Sequence, residues 1–283
     1  LVKMHPGVSR EAFDAIMAAA DELDFPVAGH VPADVGLNRA LEVQMASIDH
    51  LDAYVEALAG HGDGFEGVNV GLFGFGVVEH ADESRIPELA RATREAGVWN
   101  VPTQTLLASL ASEVPPEEMA NWPEMRYVSP QTLESWIERK RNFQSAEGFS
   151  LDRAARYMEI RRQLIKALHD EGADLALGSD APQWWNVPGF SARRELELMV
   201  QAGRTPIEAL ATGTREASRY FAQEQEWGTI APGLVADLLL FDANPLEDIG
   251  NVWEQSGVMI RGRWISGDEV ERRLNEIATQ VGN

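Results

Sequence analysis

A run of small apolar residues, 173–177, stops abruptly at Gly178-Ser179-Asp180-Ala181-Pro182. A buried parallel strand ending in a small-residue turn with one carboxylate delivers that acid to the C-terminal rim of an α/β sheet or barrel. Such folds place their chemistry at that rim. Three earlier stretches close in the same way: Leu1-Val2-Lys3, Pro26-Val27-Ala28-Gly29-His30 and Ala46-Ser47-Ile48-Asp49-His50. A lysine, two histidines and an aspartate, each closing its own strand, read as the first shell of a metal centre.

The stretches between these ends read as helices. Ser9 is a suitable N-cap, and Phe13, Ile16, Met17, Ala20 and Leu23 share one helical face. Leu37, Ala40 and Leu41 mark a short helix before the strand at 46–50. Ile86, Leu89, Ala90 and Thr93 mark another, which Gly97 ends. Alternation at this spacing is βαβ grammar and predicts a parallel sheet with right-handed crossovers. Residues 53–82 interrupt it, and the glycine- and phenylalanine-rich part from Gly60 to Gly76 reads as a long rim loop. Val98 to Thr103 is the next strand.

Residues 106–150 form a mostly helical insertion broken at Pro115-Pro116 and Trp122-Pro123. A helix carrying Met158, Ile165 and Leu168 follows, closed by Gly172. The loop from Gln183 to Ser191 holds Trp184, Trp185 and Phe190 and can wall a pocket. Thr205-Pro206-Ile207-Glu208 combines a capping box with proline at the first helical position. Near the C-terminus, Val235 to Phe241, Val258 to Ile260 and Trp264-Ile265 read as short strands around an Arg261-Gly262-Arg263 turn, a small β lobe.

With 283 residues and 45% hydrophobic content, the chain can bury one barrel-sized core plus a small accessory lobe. Its formal charge of −21 argues against nucleic acid and anionic membrane surfaces as partners, since both reward clustered Lys and Arg. No window reaches the roughly 18 apolar residues of a membrane span, so a soluble protein is expected, its compartment left open. The absence of cysteine removes disulfides, thiolate nucleophiles and thiolate ligands.

Zinc and similar divalent ions take imidazole nitrogen and carboxylate oxygen. Two such ions sharing a hydroxide attack a polarised carbonyl or phosphoryl, and a nearby carboxylate moves the proton to the leaving group. Asp180 suits that last role. Taken singly, each residue also has a plainer one. Asp180 can cap a following helix, a strand-end histidine can be a hydrogen-bonded core group, and Lys3 can be a solvated charge. The shared position at successive strand ends is what favours a metal. His5, His61, His80 and His169 lack that context.

These residues bring the chain to a family. Val2-Lys3, Gly29-His30-Val31-Pro32, Ser47-Ile48-Asp49-His50, Gly178 to Pro182, Arg194 to Met199, Thr205 to Leu210 and Gly228 to Leu238 together resemble the amidohydrolase superfamily of metal-dependent hydrolases. The nearest branch is the imidazolonepropionase-like and Xaa-Pro-dipeptidase-like one. The resemblance implies a TIM-type (β/α)₈ barrel, strands four to eight of it in residues 1–227, and part of a small β-sandwich with a C-terminal tail in 228–283. It implies Lys3 as the strand-four ligand, often carbamylated and bridging two divalent ions, zinc first among them. His30 and His50 would hold one ion, and Asp180 would bind the other and serve as acid/base. Tyr54, Trp184, Trp185 and Arg193 are the expected substrate contacts.

The implied activity is hydrolysis of an amide or other C–N bond in a short peptide, N-acyl amino acid or cyclic amide. The alternatives are ester, lactone or phosphoester hydrolysis, and a degenerate or truncated member without turnover. The chain departs from the family in two respects: no two histidines stand in a His-x-His pair, and Arg193 sits where relatives often carry histidine. Strands one to three are missing with that pair, and five strands cannot close an eight-stranded barrel without exposed edges. The expectation is therefore an omitted N-terminal portion. Failing that, homo-oligomerisation or a partner would supply the missing strands.

Overall fold

Short strands and longer helices alternate through the first hundred residues, as the apolar spacing requires. The computed structural model describes residues 1–281. Its elements are β1 (Val2–Met4), α1 (Arg10–Glu22), β2 (Val27–Gly29), α2 (Gly36–Glu42), β3 (Ser47–Asp49), α3 (Tyr54–Leu58), α4 (Ile86–Ala96) and β4 (Trp99–Val101). The insertion supplies α5 (Gln104–Ala111), α6 (Pro116–Met119) and α7 (Pro130–Ser145), and α8 (Leu151–Asp170) follows. The rest is α9 (Phe190–Gln201), α10 (Pro206–Thr212), α11 (Arg215–Tyr220), β5 (Leu238–Phe241), β6 (Gln255–Ile260), β7 (Arg263–Ser266) and α12 (Gly267–Val281). Two compact units emerge: Leu1–Thr103 with Ser150–Ala176, and Gln104–Phe149 with the chain from Leu177 onward.

The first unit is built on a parallel sheet in the order β1-β2-β3-β4, with Val2 beside Val27, Ala28 beside Ser47, and Ile48 beside Asn100. Val27, Ala28 and Ile48 are buried, as are Phe13 and Ala20 of α1, Ile86, Leu89 and Ala90 of α4, and Ile160, Leu164, Ile165 and Leu168 of α8. Burial of each large side chain contributes about 1.5–3 kcal/mol. Ser9 accepts the Ala12 N–H as the N-cap of α1, and Gly97 ends α4 at φ 71°. Leu23, expected on the buried face of α1, lies exposed one residue beyond that helix.

Two expectations need correction. The stretch 173–177 forms no strand: it contributes an isolated parallel bridge, Asn100 to Leu175, and the Leu177 N–H turns to the carbonyl of Thr212. Among the described residues, therefore, four strands and a bridge stand where strands four to eight were expected, and no closed barrel is formed. The Gly60–Gly76 stretch is also not loop throughout. A 3₁₀ segment covers Leu72–His80, kinked at Phe73 and Gly74, where positive φ angles break it.

The second unit has two apolar clusters. Met119, Met125, Trp136, Trp185 and Val187 gather the insertion, while Leu196, Met199, Ala209, Ile249 and Val252 gather α9 and α10. The capping box forms as expected, Glu208 accepting from the Thr205 N–H and hydroxyl. Strands β5, β6 and β7 make an antiparallel sheet. Arg261 and Gly262 both take positive φ between Ile260 and Arg263, the turn whose twist matches a hairpin. Helix α12 was not anticipated, although Val270, Leu274, Ile277 and Val281 recur at helical spacing; it buries no side chain fully. No described helix is long and apolar enough to cross a membrane.

Candidate active site

In a parallel sheet every strand points the same way, so residues closing consecutive strands meet at one edge. Lys3, within β1, pairs in register with Ala28. His30 follows β2, its N–H bonded to the Met4 carbonyl at 3.1 Å, and His50 follows β3, its N–H bonded to the Val101 carbonyl at 2.8 Å. The structure brings the two imidazoles together, ring centroids 4.7 Å apart. His5, given no role from sequence, lies edge-on to His30 at 5.9 Å.

Each imidazole is anchored through Nδ1. His30 Nδ1 lies 2.7 Å from Asp52 Oδ2, which also accepts the Val31 N–H at 3.3 Å. A carboxylate accepts only, so His30 donates through Nδ1 in this contact. His50 Nδ1 lies 2.7 Å from the Thr103 hydroxyl. Burial lowers the pKa of His30, but the Asp52 hydrogen bond and charge outweigh it and the net direction is up. Burial, then the positive charges of His30, Lys3 and Arg161, push His50 down to about 2, so it is a neutral imidazole at any physiological pH. Burial raises Asp52, against the His30 bond.

A histidine that ligates a metal hands its other nitrogen to a carboxylate, hydroxyl or carbonyl. His30 and His50 have that form. Among the described residues, no group of three or more histidine, aspartate or glutamate side chains is placed to hold an ion. Lys3 Nζ pairs with Asp49 Oδ2 at 3.0 Å, on a side chain that is 56% exposed.

Near the histidines several polar side chains are buried. Phe73, at φ 48°, sets its ring 5.1 Å from His50 and 6.3 Å from His30. The Tyr157 hydroxyl donates to the Phe73 carbonyl at 2.9 Å. Glu56 is buried with Oε2 lacking a hydrogen-bond partner, and burial pushes its pKa up to about 8. Tyr54, expected to contact substrate, is instead a core residue. Its hydroxyl bonds Thr93 at 2.7 Å and accepts from Asn100 at 3.1 Å, and burial raises its pKa to about 12.

The other expected residues lie in the second unit. Asp180 sits at φ 55° and accepts from Gln183 Nε2. It caps no helix, because α9 begins at Phe190 after Gly189. Its turn is secured by Asn186 Nδ2 on the Ser179 carbonyl and by Ser191 on the Ser179 hydroxyl at 2.9 Å. Asn186 also accepts the Thr105 hydroxyl, and buried Glu195 accepts the N–H groups of Gln104 and Thr105 at 2.8 and 2.7 Å. Trp185 is fully buried, and Arg139 stacks over half-buried Trp184. Arg193 lies against Phe190 and Trp253, donates to Gln255 at 2.6 Å, and lines a cavity of about 790 Å³.

Sequence spacing could not find Asp52, Thr103, Phe73, Arg161 or Asn186. Glu195 had a signal, since it lies within the Arg194-to-Met199 stretch that resembles the family.

No curated protein matches this sequence. Among solved structures, a bottromycin amidohydrolase matches at TM-score 0.68 and 20% identity, covering 99% of this chain and 58% of that one. A Xaa-Pro dipeptidase with bound methionine in its active site matches at TM-score 0.57 and 21% identity, covering 92% of this chain and 49% of that one. An ochratoxinase from A. niger matches at TM-score 0.57 and 20% identity, with 92% and 46% covered. The chain thus spans about half the length of the structures it matches. The model of the amidohydrolase family matches residues 2–265, nearly the whole sequence, and the chain belongs to that family.

Proposed function

We propose that this chain carries part of the active site of a metal-dependent hydrolase acting on an amide or related C–N bond. The observation behind this reading is the pair His30 and His50, closing consecutive strands with ring centroids 4.7 Å apart and each with Nδ1 anchored. Family membership supports it, as do matched structures named for a dipeptidase and an amidohydrolase. A divalent ion, zinc by preference, would supply Lewis-acid polarisation of the scissile carbonyl and a water acidic enough to react near neutral pH. His30 and His50 serve as ligands, and Asp52 and Thr103 fix their rings. Lys3 is the proposed bridging ligand after carbamylation, a change that would release it from Asp49. Asp180 is the proposed proton carrier, taking the proton from the attacking water and giving it to the leaving nitrogen. Its role rests on the sequence resemblance and on the hydrogen bonds that secure its turn.

A second reading, a member that binds without turnover, is favoured by the lack of a three-residue ligand cluster among the described residues. Elemental analysis of the chain purified without chelator decides first. About two zinc-like ions per chain support the hydrolase, one indicates a half-site, and none supports the second reading. Activity on a panel of Xaa-Pro dipeptides, N-acyl amino acids and lactones then separates C–N from ester hydrolysis. Asp180→Asn is expected to abolish turnover with the fold intact, and full activity in that variant would remove Asp180 from the mechanism.

A further inference from the structure

The backbone around the histidines is held in unfavourable conformations. Just past β3, His50, Leu51 and Ala53 take φ of 63°, 56° and 66°, and past β4 Thr103 takes 46°. None is glycine, and Thr103 is β-branched, the side-chain type least tolerant of positive φ. Each such residue costs about 1–3 kcal/mol and persists only where its surroundings over-determine it. Something in this unit must hold these turns.

Arg161 is in position to do so. It rises from α8 into the core with no exposed surface. Nη1 donates to the His50 carbonyl at 2.8 Å and Nη2 to the Pro102 carbonyl at 2.9 Å. One planar fork thus grips the two strained turns at once, a geometry that the point charge of lysine does not reproduce. The turns are joined a second time through the His50 Nδ1 to Thr103 hydroxyl contact. One helical turn earlier on α8, Tyr157 accepts from Arg161 Nη1 at 3.4 Å and donates to the Phe73 carbonyl. Two side chains of one helix face therefore reach the His50 backbone and the aromatic ring packed beside it.

We propose that Arg161 is a positioning residue, bracketing the ends of β3 and β4 so that the His50 ring is held in the orientation a metal ligand needs. The proposal rests on the reading of His30 and His50 as ligands. Without the bracket, the His50 and Thr103 turns relax toward ordinary φ and the imidazole loses its fixed direction. Supporting groups of this kind change metal affinity by about 10–100-fold.

The test uses the full chain with Arg161→Lys and Arg161→Met, and with Arg162→Met as a control. Arg162 sits on the exposed side of α8, paired with Glu159. Zinc affinity is read by competition with a chromophoric chelator, folding by circular dichroism, and the His50 tautomer by ¹⁵N NMR of the metal-free protein. The expected result is native-like circular dichroism with zinc bound about 10–100-fold more weakly in Arg161→Met. Arg161→Lys should fall between, and the control should match the parent. A folded Arg161→Lys with parental zinc affinity and an unchanged His50 spectrum overturns the proposal. If neither Arg161 variant folds, Thr103→Val, which opens the bracket from its other side, decides in the same way. If the parent chain itself binds no zinc, the ligand reading fails. The NMR comparison then judges the positioning role alone: a moved or averaged His50 signal supports it and an unmoved one overturns it.

Discussion

His30 and Asp52 show how a buried contact sets the state of a side chain. Asp52 sends its carboxylate into the sheet edge, where it meets His30 Nδ1 at 2.7 Å and lifts the imidazole pKa against the opposing effect of burial. Asp52→Asn is expected to lower the His30 pKa, read by NMR titration, and to weaken zinc binding about 10–100-fold. Unchanged values for both would make the contact incidental. Glu56 works through the proton it retains. Its ordinary value is 4.5, and burial pushes it up to about 8. Between those limits the folded chain holds a proton that the unfolded chain has released, so this group's contribution to stability falls as pH rises. The slope reaches about 1.4 kcal/mol per pH unit at most. Glu56→Gln cannot ionise, so its thermal midpoint relative to the parent should improve steadily from pH 4.5 to 8. Parallel curves would place the Glu56 carboxyl in contact with water. Neither residue was legible in the sequence, because an acid beside a strand end looks the same whether it faces solvent or a histidine.

Elements whose ends carry local signals were legible. Ser9, Gly97 and the Thr205–Glu208 box set helix limits through bonds spanning only a few residues, so spacing reveals them. The start of α5 differs: the Gln104 and Thr105 N–H groups are satisfied by Glu195, some ninety residues away. Glu195→Ala leaves two buried donors unmatched, at about 1–3 kcal/mol each. Urea unfolding should show a loss of a few kcal/mol, with Glu195→Gln losing less. No measurable loss would mean that water replaces the carboxylate. Thr205→Ala, at an exposed cap, should cost only about 1 kcal/mol. Spacing failed for α3, whose five residues are too few to show a period, and for 173–177. That apolar run has the composition of a strand, yet its ladder stops at one bridge because Leu177 bonds to Thr212.

Across the whole molecule, 45 acids oppose 24 bases, leaving a charge of −21 that repels itself in the compact state. Exposed ion pairs contribute about 0–1 kcal/mol each and weaken with salt, whereas screening of the net charge favours the folded form. The melting temperature should therefore rise from about 10 mM to 150 mM sodium chloride, as the screening length falls from roughly 30 to 8 Å. A fall would show that the pairs dominate. The sequence by itself determined the parallel α/β pattern, the small antiparallel lobe, the acidic composition and the placing of His30 and His50 at the ends of consecutive strands. All of these follow from short-range periodicity and composition. Only the tertiary structure decided that Asp52 and Thr103 orient the histidines, that Arg161 brackets their strained turns, that Phe73 packs against them and that Tyr54 belongs to the core. Those contacts join residues 22 to 111 positions apart. Chain spacing carries no information at that range, because hydrogen bonding and burial there are set by which elements come to lie side by side.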